Sequence, residues 1–260
     1  MAIGAGLCGY FRSAPAVNQK RGFVRELVGI VLPALAVAVV IQTFLIKPFR
    51  IPSESMLPNL LVGDYLFVSK YSYGYSRYSF PLAPRLFSGR IFSSLPQRGD
   101  IVVFRLPLQD SEDYIKRVIG LPGDTVQMIG GVLHINGLPV ARERVDDFVP
   151  EESGTAIRAR RWRETLPNGV THMTLDLIEG GPGDDTLIYR VPTAHYFMMG
   201  DNRDDSADSR MLSMVGYVPF ENFVGRAEFI FFSVGSQAGA WEFWRWPWTI
   251  RRTRLFMALR

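Results

Sequence analysis

From Leu27 to Ile46 the chain reads LVGIVLPALAVAVVIQTFLI, twenty positions without a charge and with only Gln42 and Thr43 polar. A helix of that length covers ~30 Å at ~1.5 Å per residue, enough to cross the hydrocarbon core of a bilayer. The run exceeds the roughly 7–15 apolar residues of a secretory signal. Ala34, Ala36 and Ala38 offer small-x-small spacing, but they lie in mid-run and no small-residue cleavage site follows Ile46. A retained anchor is therefore expected rather than a cleaved leader, with Pro33 near its start, where membrane helices tolerate proline.

After the anchor the pattern changes. Three prolines and a serine pair in KPFRIPSESMLPN break any helical period before the strand-like Tyr65-Leu66-Phe67-Val68. Residues 71–96, rich in Tyr, Ser, Pro and Arg, have no clear period and read as a long surface loop. Asp100–Arg105 and Tyr114–Ile119 are strand candidates, the second running into the turn Leu121-Pro122-Gly123-Asp124. Val132–Ile135 and Leu138–Val140 flank Asn136-Gly137, a strong hairpin signal. Residues 141–192 are charged and poorly periodic and read as an insertion or small subdomain. Strand character resumes at Val191–Met199, Val215–Val218 and Ala227–Val234 around the polar loop GDNRDDSADSR at 200–210. Many short strands, Gly/Pro turns and no long amphipathic helix predict a mostly β fold behind one apolar helix. The expected division is an N-terminal segment 1–26, a transmembrane helix 27–46, a β domain 47–240 with a second β region near 141–192, and a tail 241–260.

Composition narrows the function classes. Apolar residues make up 47% of the 260, which suits a packed core, and 29 Lys+Arg against 25 Asp+Glu leave a dispersed +4 that does not fit a nucleic-acid binder. A surface beside anionic lipid stays open. One cysteine, Cys8, excludes a disulfide framework and a CxxC metal cage. No GxxxxGK[ST] or HExxH pattern occurs, and the acidic loop fails the calcium template, with Ser206 sixth and Leu212 twelfth from Asp201. No metal and no cofactor are expected. Arg12, Lys20, Arg21 and Arg25 precede the apolar run and Lys47 and Arg50 follow it, which puts the N-terminus in the cytoplasm by the positive-inside rule. Four of the five tryptophans fall in the tail with Arg251, Arg252, Arg254 and Arg260. That mixture favours a membrane–water interface, with some of the indoles alternatively packed on the β domain.

Only four basic residues are lysine: Lys20, Lys47, Lys70 and Lys116. A buried lysine loses its proton far more readily than an arginine, so a lysine within a strand is a candidate base. Lys116 stands mid-strand, where an exposed face is the ordinary alternative. Ser55 lies in the constrained turn Ile51-Pro52-Ser53-Glu54-Ser55-Met56-Leu57-Pro58, and a serine needs such a base to become a nucleophile. His134, His172 and His195 leave a Ser-His-Asp arrangement open on spacing alone. The Asp/Arg mixture at 200–210 has the makings of an ion-pair network, and Ser206 could be held toward a buried amine.

PSESMLPNLLVGDYLFVSKYSYG, RGDIVVFR, YIKRVIGLPGD, INGLPV and YFMMGDNRDDSADSR, with GYVP and VGRA after them, occur in that order behind the apolar run. In these segments, about a third of its length, the chain closely resembles bacterial type I signal peptidases, membrane-anchored endopeptidases with a Ser-Lys dyad. The resemblance implies Ser55 as nucleophile, Lys116 as general base, and an oxyanion hole from the Ser53 hydroxyl and the Ser55 N–H. It implies Ser206 as the serine that positions the amine, and Asp208 and Arg210 as bracing ion partners. Glu54 departs from the glycine of many relatives and is expected to point outward. The implied fold is an antiparallel, mostly β catalytic domain with a smaller β region to which 141–192 belongs. The implied substrates are preproteins with small residues at the first and third positions before the cut, met at the bacterial plasma membrane downstream of an export translocon. A narrow-specificity peptidase with the same dyad and a non-catalytic signal-peptide-binding protein are the competing readings. A penicillin-binding or β-lactamase enzyme is disfavoured, because no lysine stands three residues after a serine and KTG is absent.

Overall fold

A computed structural model describes residues 19–80, 83–84, 87–109, 111–149, 158–235, 244 and 246–259. Cys8, Arg12, Trp241, Arg245 and Arg260 lie outside the described residues, as do positions 150–157 of the expected second region. The chain divides into two compact units, 1–40 and 41–260.

The first unit contains helix α1 (Gln19–Val40), with Pro33 inside it and its apolar side chains from Leu27 onward exposed. The stretch Arg25–Leu45, with mean hydropathy 2.4, is long and apolar enough to cross a membrane. The helical run expected to reach Ile46 ends earlier: Ile41–Leu45 form a π-helical turn, and Ile46 already belongs to a strand.

In the second unit β1 (Ile46–Arg50), β2 (Asp64–Ser69), β3 (Ile101–Arg105) and β4 (Asp113–Gly120) precede the hairpin strands β5 (Thr125–Ile129), β6 (Val132–Ile135) and β7 (Leu138–Pro139). Then come β8 (Ala141–Arg144), β9 (Arg160–Thr165), β10 (Thr171–Asp176), β11 (Tyr189–Arg190), β12 (His195–Met199), β13 (Val218–Pro219), β14 (Phe223–Ser233) and β15 (Met257–Ala258). The large sheet has the order β1-β2-β14-β3-β4-β12-β13, with β15 also on β14. A four-stranded sheet runs β11-β5-β6-β7 and a three-stranded one β10-β9-β8. Every strand pairing within the sheets is antiparallel.

The run Ile101-Val102-Val103-Phe104 is apolar without alternation because both faces of β3 are covered. Ile101 and Val103 join Ile51, Met56, Leu60, Leu66 and Ile230 on one side, while Val102 and Phe104 join Val118, Tyr196, Met198 and Phe223 on the other. β12 alternates likewise, its Phe197 and Met199 packing with Val126, Leu133 and Ile135 of the smaller sheet. Asn136 and Gly137 both have positive φ, 54° and 78°, as a two-residue hairpin with matching strand twist requires.

Residues 71–96 differ from the expected surface loop. Two 3-10 turns, Tyr71–Tyr73 and Arg77–Ser79, bury Tyr73, Ser76, Tyr78 and Ser79, and the Tyr73 hydroxyl donates to Asp100 at 2.7 Å. Short turns and polar-tipped aromatics leave no period to read. The 141–192 stretch contains the hairpin β9–β10, whose RRWRET and THMTLD segments hide it because the inward positions include Glu164 and His172.

The tail also departs from expectation. Helix α2 (Trp246–Thr249) brings the Trp246 ring to a centroid distance of 4.8 Å from Phe232, and β15 pairs with β14. Arg251 donates to the Val62 carbonyl at 2.9 Å, and Arg254 Nη2 lies 2.6 Å from the buried Asp64 carboxylate. These two guanidiniums are engaged by the domain, Arg254 because the buried Asp64 has lost its water and needs a cation. Trp248 remains 83% exposed.

Candidate active site

Ser55 leaves β1 in a tight turn: the Leu57 N–H donates to the Glu54 carbonyl at 3.0 Å and the Leu60 N–H to that of Met56 at 2.9 Å. Met56 and Leu60 are buried in the core below, which turns Ser53 and Glu54 to solvent. Glu54 thus points outward, as expected. Ser55 is 7% exposed and Lys116, from β4, is 4% exposed; Lys116 Nζ lies 2.5 Å from Ser55 Oγ. Ser53 Oγ stands 3.4 Å from the same Oγ on its open side.

Burial lowers the Lys116 amine to about 8; Asp208, Asp201 and Asp205 pull it back up and Arg210 pushes it down. Desolvation prevails because none of these carboxylates is within ion-pairing distance of the amine. An amine titrating near 8 has an appreciable neutral fraction at neutral pH, which is what a proton acceptor for a hydroxyl requires.

The 200–210 loop supplies the frame. Asp208 accepts from Arg210 Nε and Nη2 at 2.9 Å each and from the Gly200 N–H at 3.0 Å. Burial resists its ionisation, but the Arg210 charge and these hydrogen bonds outweigh that and hold the carboxyl below its usual range. Gly200 is where the loop passes Ser55: a Cβ there would come 2.2 Å from Ser206 Oγ and 2.5 Å from the Ser55 carbonyl oxygen. Ser206 is therefore beside Ser55, but its buried Oγ has no hydrogen-bond partner among the described residues. The expected tie from Ser206 to the amine is not made, because Nζ is turned to Ser55.

Several residues of the frame carried no sequence assignment. Asp201 receives Arg117 Nε and Nη2 at 2.8 Å each and Asn59 Nδ2 at 2.7 Å, all in the interior. Burial opposes this charge too, and Arg117 overcomes it, keeping the carboxyl low. Asn59 lies four residues past Ser55, so the Asp201 pair grips the Ser55 turn directly. The Asn202 N–H donates to the Ser55 carbonyl at 3.1 Å and its Nδ2 to that of Glu54 at 3.3 Å. Behind them Arg203 makes two bonds to Glu164 of β9, at 2.9 and 2.5 Å, and His172 of β10 sits 3.7 Å from Glu164 and 3.8 Å from Asp201. The signal for these residues was the density of charge in YIKRVIG and GDNRDDSADSR, since buried ions must be paired. Glu164 and His172 had no such cue.

No histidine meets Ser55 among the described residues. His134 and His195 approach the carbonyls of Val132 and Thr193, and His172 is held near about 4, chiefly by burial and then by Arg117.

Residues 24–232 match the family described as signal peptidase, peptidase S26. Relatives named signal peptidase I from Rickettsia typhi and Rickettsia canadensis are 45% and 46% identical over 208 residues, 76% of this chain and 76% of each relative. A solved signal peptidase I from Enterococcus faecalis V583 is 27% identical, with a TM-score of 0.29 over 51% of this chain and 97% of that one. A match across most of the sequence, together with relatives at this identity, means that the chain belongs to the signal peptidase family, the serine endopeptidases that remove signal peptides.

Proposed function

We propose that this chain is a membrane-anchored peptidase that cuts preproteins after small residues, of Ala-x-Ala type, with Ser55 as nucleophile and Lys116 as general base. The observation that carries this is the 2.5 Å approach of a buried, desolvated amine to a serine oxygen. The Arg25–Leu45 stretch is the anchor, with the N-terminus cytoplasmic, residues 47–240 acting outside the membrane and 241–260 close to it. The enzyme then works on substrates delivered by export machinery.

Among the described residues β1 pairs with β2 alone, and Asp113–Lys116 pair with β3 alone, because β12 takes up only the Arg117–Gly120 end of β4. Two free strand edges thus run toward the dyad, and Lys47 Nζ on one lies 3.5 Å from Asp113 on the other. Pro48 fits an edge, since it has no N–H to give a further strand. An extended signal-peptide end would add itself between them through main-chain hydrogen bonds. Phe49, Ile51 and Ile115, which share one apolar cluster, would form shallow ground below it. Large side chains would clash there, so selection is by exclusion.

In the reaction Ser55 Oγ attacks the scissile carbonyl carbon as neutral Lys116 takes its proton. The oxyanion is met by the Ser55 N–H and the Ser53 hydroxyl. The C–N bond then breaks, the leaving amine takes the proton back from Lys116, and an ester to Ser55 remains. Water attacks the ester, giving its proton through Lys116 to Ser55 Oγ, and the signal peptide leaves as a carboxylic acid. Ser206, buried and unpartnered, would hold the amine once Ser55 turns to substrate. Detergent-solubilised wild type should cleave an Ala-x-Ala preprotein and Ser55→Ala and Lys116→Ala should not. Cleavage by either variant, or none by folded wild type, would overturn the assignment.

A further inference from the structure

The ion pair that joins the two free edges has a composition of its own. Asp113 is shared by Arg105, its cross-strand neighbour, at 3.0 Å and by Lys47 at 3.5 Å. A third cation stands close by: Lys70 Nζ, buried and donating to the Ser79 carbonyl at 2.6 Å and the Thr43 carbonyl at 3.3 Å, interacts electrostatically with both Lys47 and Asp113. Lys47 and Arg105 therefore share one carboxylate, with the Lys70 amine within electrostatic reach of it. Lys47 is the loosest of them, 40% exposed against 19% for Asp113, with its Nζ 4.3 Å from the centre of the Phe49 ring.

Its place along the slot follows from strand geometry. Asp113 is three residues before Lys116, about 10 Å at ~3.3 Å per residue. A peptide extended at the same rise, with the residue before its scissile bond at the dyad, passes this point about four residues ahead of the cut. Lys47, Phe49 and Ile51 alternate onto one face, and the core partners of Phe49 and Ile51 include Ile115, two residues from Asp113. The charged cluster thus continues the apolar ground on which the small substrate residues would rest.

We propose that Lys47, with Arg105 and Asp113, is a specificity subsite that reads charge on the preprotein about four residues before the scissile bond, favouring a carboxylate and disfavouring an amine. An incoming carboxylate can take Lys47 without stranding Asp113, which keeps Arg105. An incoming lysine meets an excess of positive charge and must compete for a carboxylate already held twice. The gain is that of a half-exposed ion pair, so it is modest and weakens with salt.

This rests on the peptidase reading above, and the test separates the two. The full chain in detergent is given Ala-x-Ala preproteins carrying Glu, Gln or Lys in turn at the fourth, fifth and sixth positions before the cut. Wild type should prefer Glu over Lys at one of these positions by about three- to fivefold in kcat/KM, through KM rather than kcat. Lys47→Glu should invert that ratio, and 0.5 M salt should shrink it. Equal cleavage of all substrates, or an order unchanged in Lys47→Glu, would overturn the subsite while leaving the dyad standing. If Lys47→Glu does not fold, Lys47→Gln decides: the Glu/Lys ratio should fall towards one, and an unchanged ratio overturns the proposal. No cleavage of any substrate by wild type would remove the peptidase reading and the subsite with it.

Discussion

Replacing Lys116 by methionine should make the protein more stable while abolishing cleavage. Burial lowers the amine from an ordinary 10.5 to about 8, so the folded state resists a proton that the unfolded chain accepts. At about 1.36 kcal/mol per pH unit, that difference penalises the fold by ~3 kcal/mol at pH 7, below both values. Methionine fills similar space without the charge, and losing the contact to Ser55 Oγ returns ~1 kcal/mol. The net gain at pH 7 is ~2 kcal/mol, roughly 4–8 °C in Tm for a domain of this size. The sign of the pH dependence follows: from pH 8 to 10.5 the unfolded wild type binds more protons than the folded one, so wild-type stability climbs with pH more steeply than that of the variant, in which only the Lys70 shift remains. By pH 10 the lysine penalty has fallen below ~1 kcal/mol. Parallel thermal unfolding of both full-length chains in one detergent, at pH 7, 8.5 and 10, measures this, and the shift of Lys70 to about 8 cancels between them. A variant less stable than wild type at pH 7, or a difference indifferent to pH, would refute the claim that desolvation sets the Lys116 amine.

The same amine should give kcat/KM a limb that rises from pH 7 and levels off above about 8, and Lys116→Arg, unable to shed its proton, should fall by ~10²–10⁴-fold at every pH. His172, at about 4 when folded against 6.5 unfolded, should cost the fold ~3 kcal/mol as pH falls from 6.5 to 4, and His172→Gln should flatten that limb of a Tm–pH curve. Gly200→Ala should displace Ser55 or Ser206 and lower kcat by ~10²-fold, with circular dichroism showing the fold retained. Arg254→Met should destabilise by ~3–5 kcal/mol in denaturant titrations, because the fully buried Asp64 loses its ion pair.

Legibility in the sequence followed the kind of force involved. Strands buried on both faces, such as Ile101–Phe104, and the Asn136-Gly137 turn announce themselves through apolar runs and backbone preference. Ser55 and Lys116 were visible because a serine in a constrained turn and a lysine within an apolar strand are locally odd. That they would meet is a matter of topology, 61 residues apart in sequence, and rested on resemblance. Glu164 stayed hidden because a buried charge and a solvated one look alike until the partner is known, and its partner Arg203 lies 39 residues away. The tail is ambiguous for a related reason: Arg254 next to tryptophans reads as an interfacial residue, and only Asp64, 190 residues earlier, shows what its guanidinium holds.

The sheet order also bears on when the enzyme can act. Ser55 follows the edge strand β1 and Lys116 belongs to β4, and between β2 and β3 lies β14, made of residues 223–233. Loop 200–210, which holds the Ser55 turn, comes likewise after both. A growing polypeptide therefore carries Ser55 and Lys116 long before it can join them, and, if they act as proposed, stays catalytically silent until residues 223–233 have been made. Proteolytic competence is thus a property of the finished fold, which spares the chain a working protease while its own segments are still unfolded and open to attack.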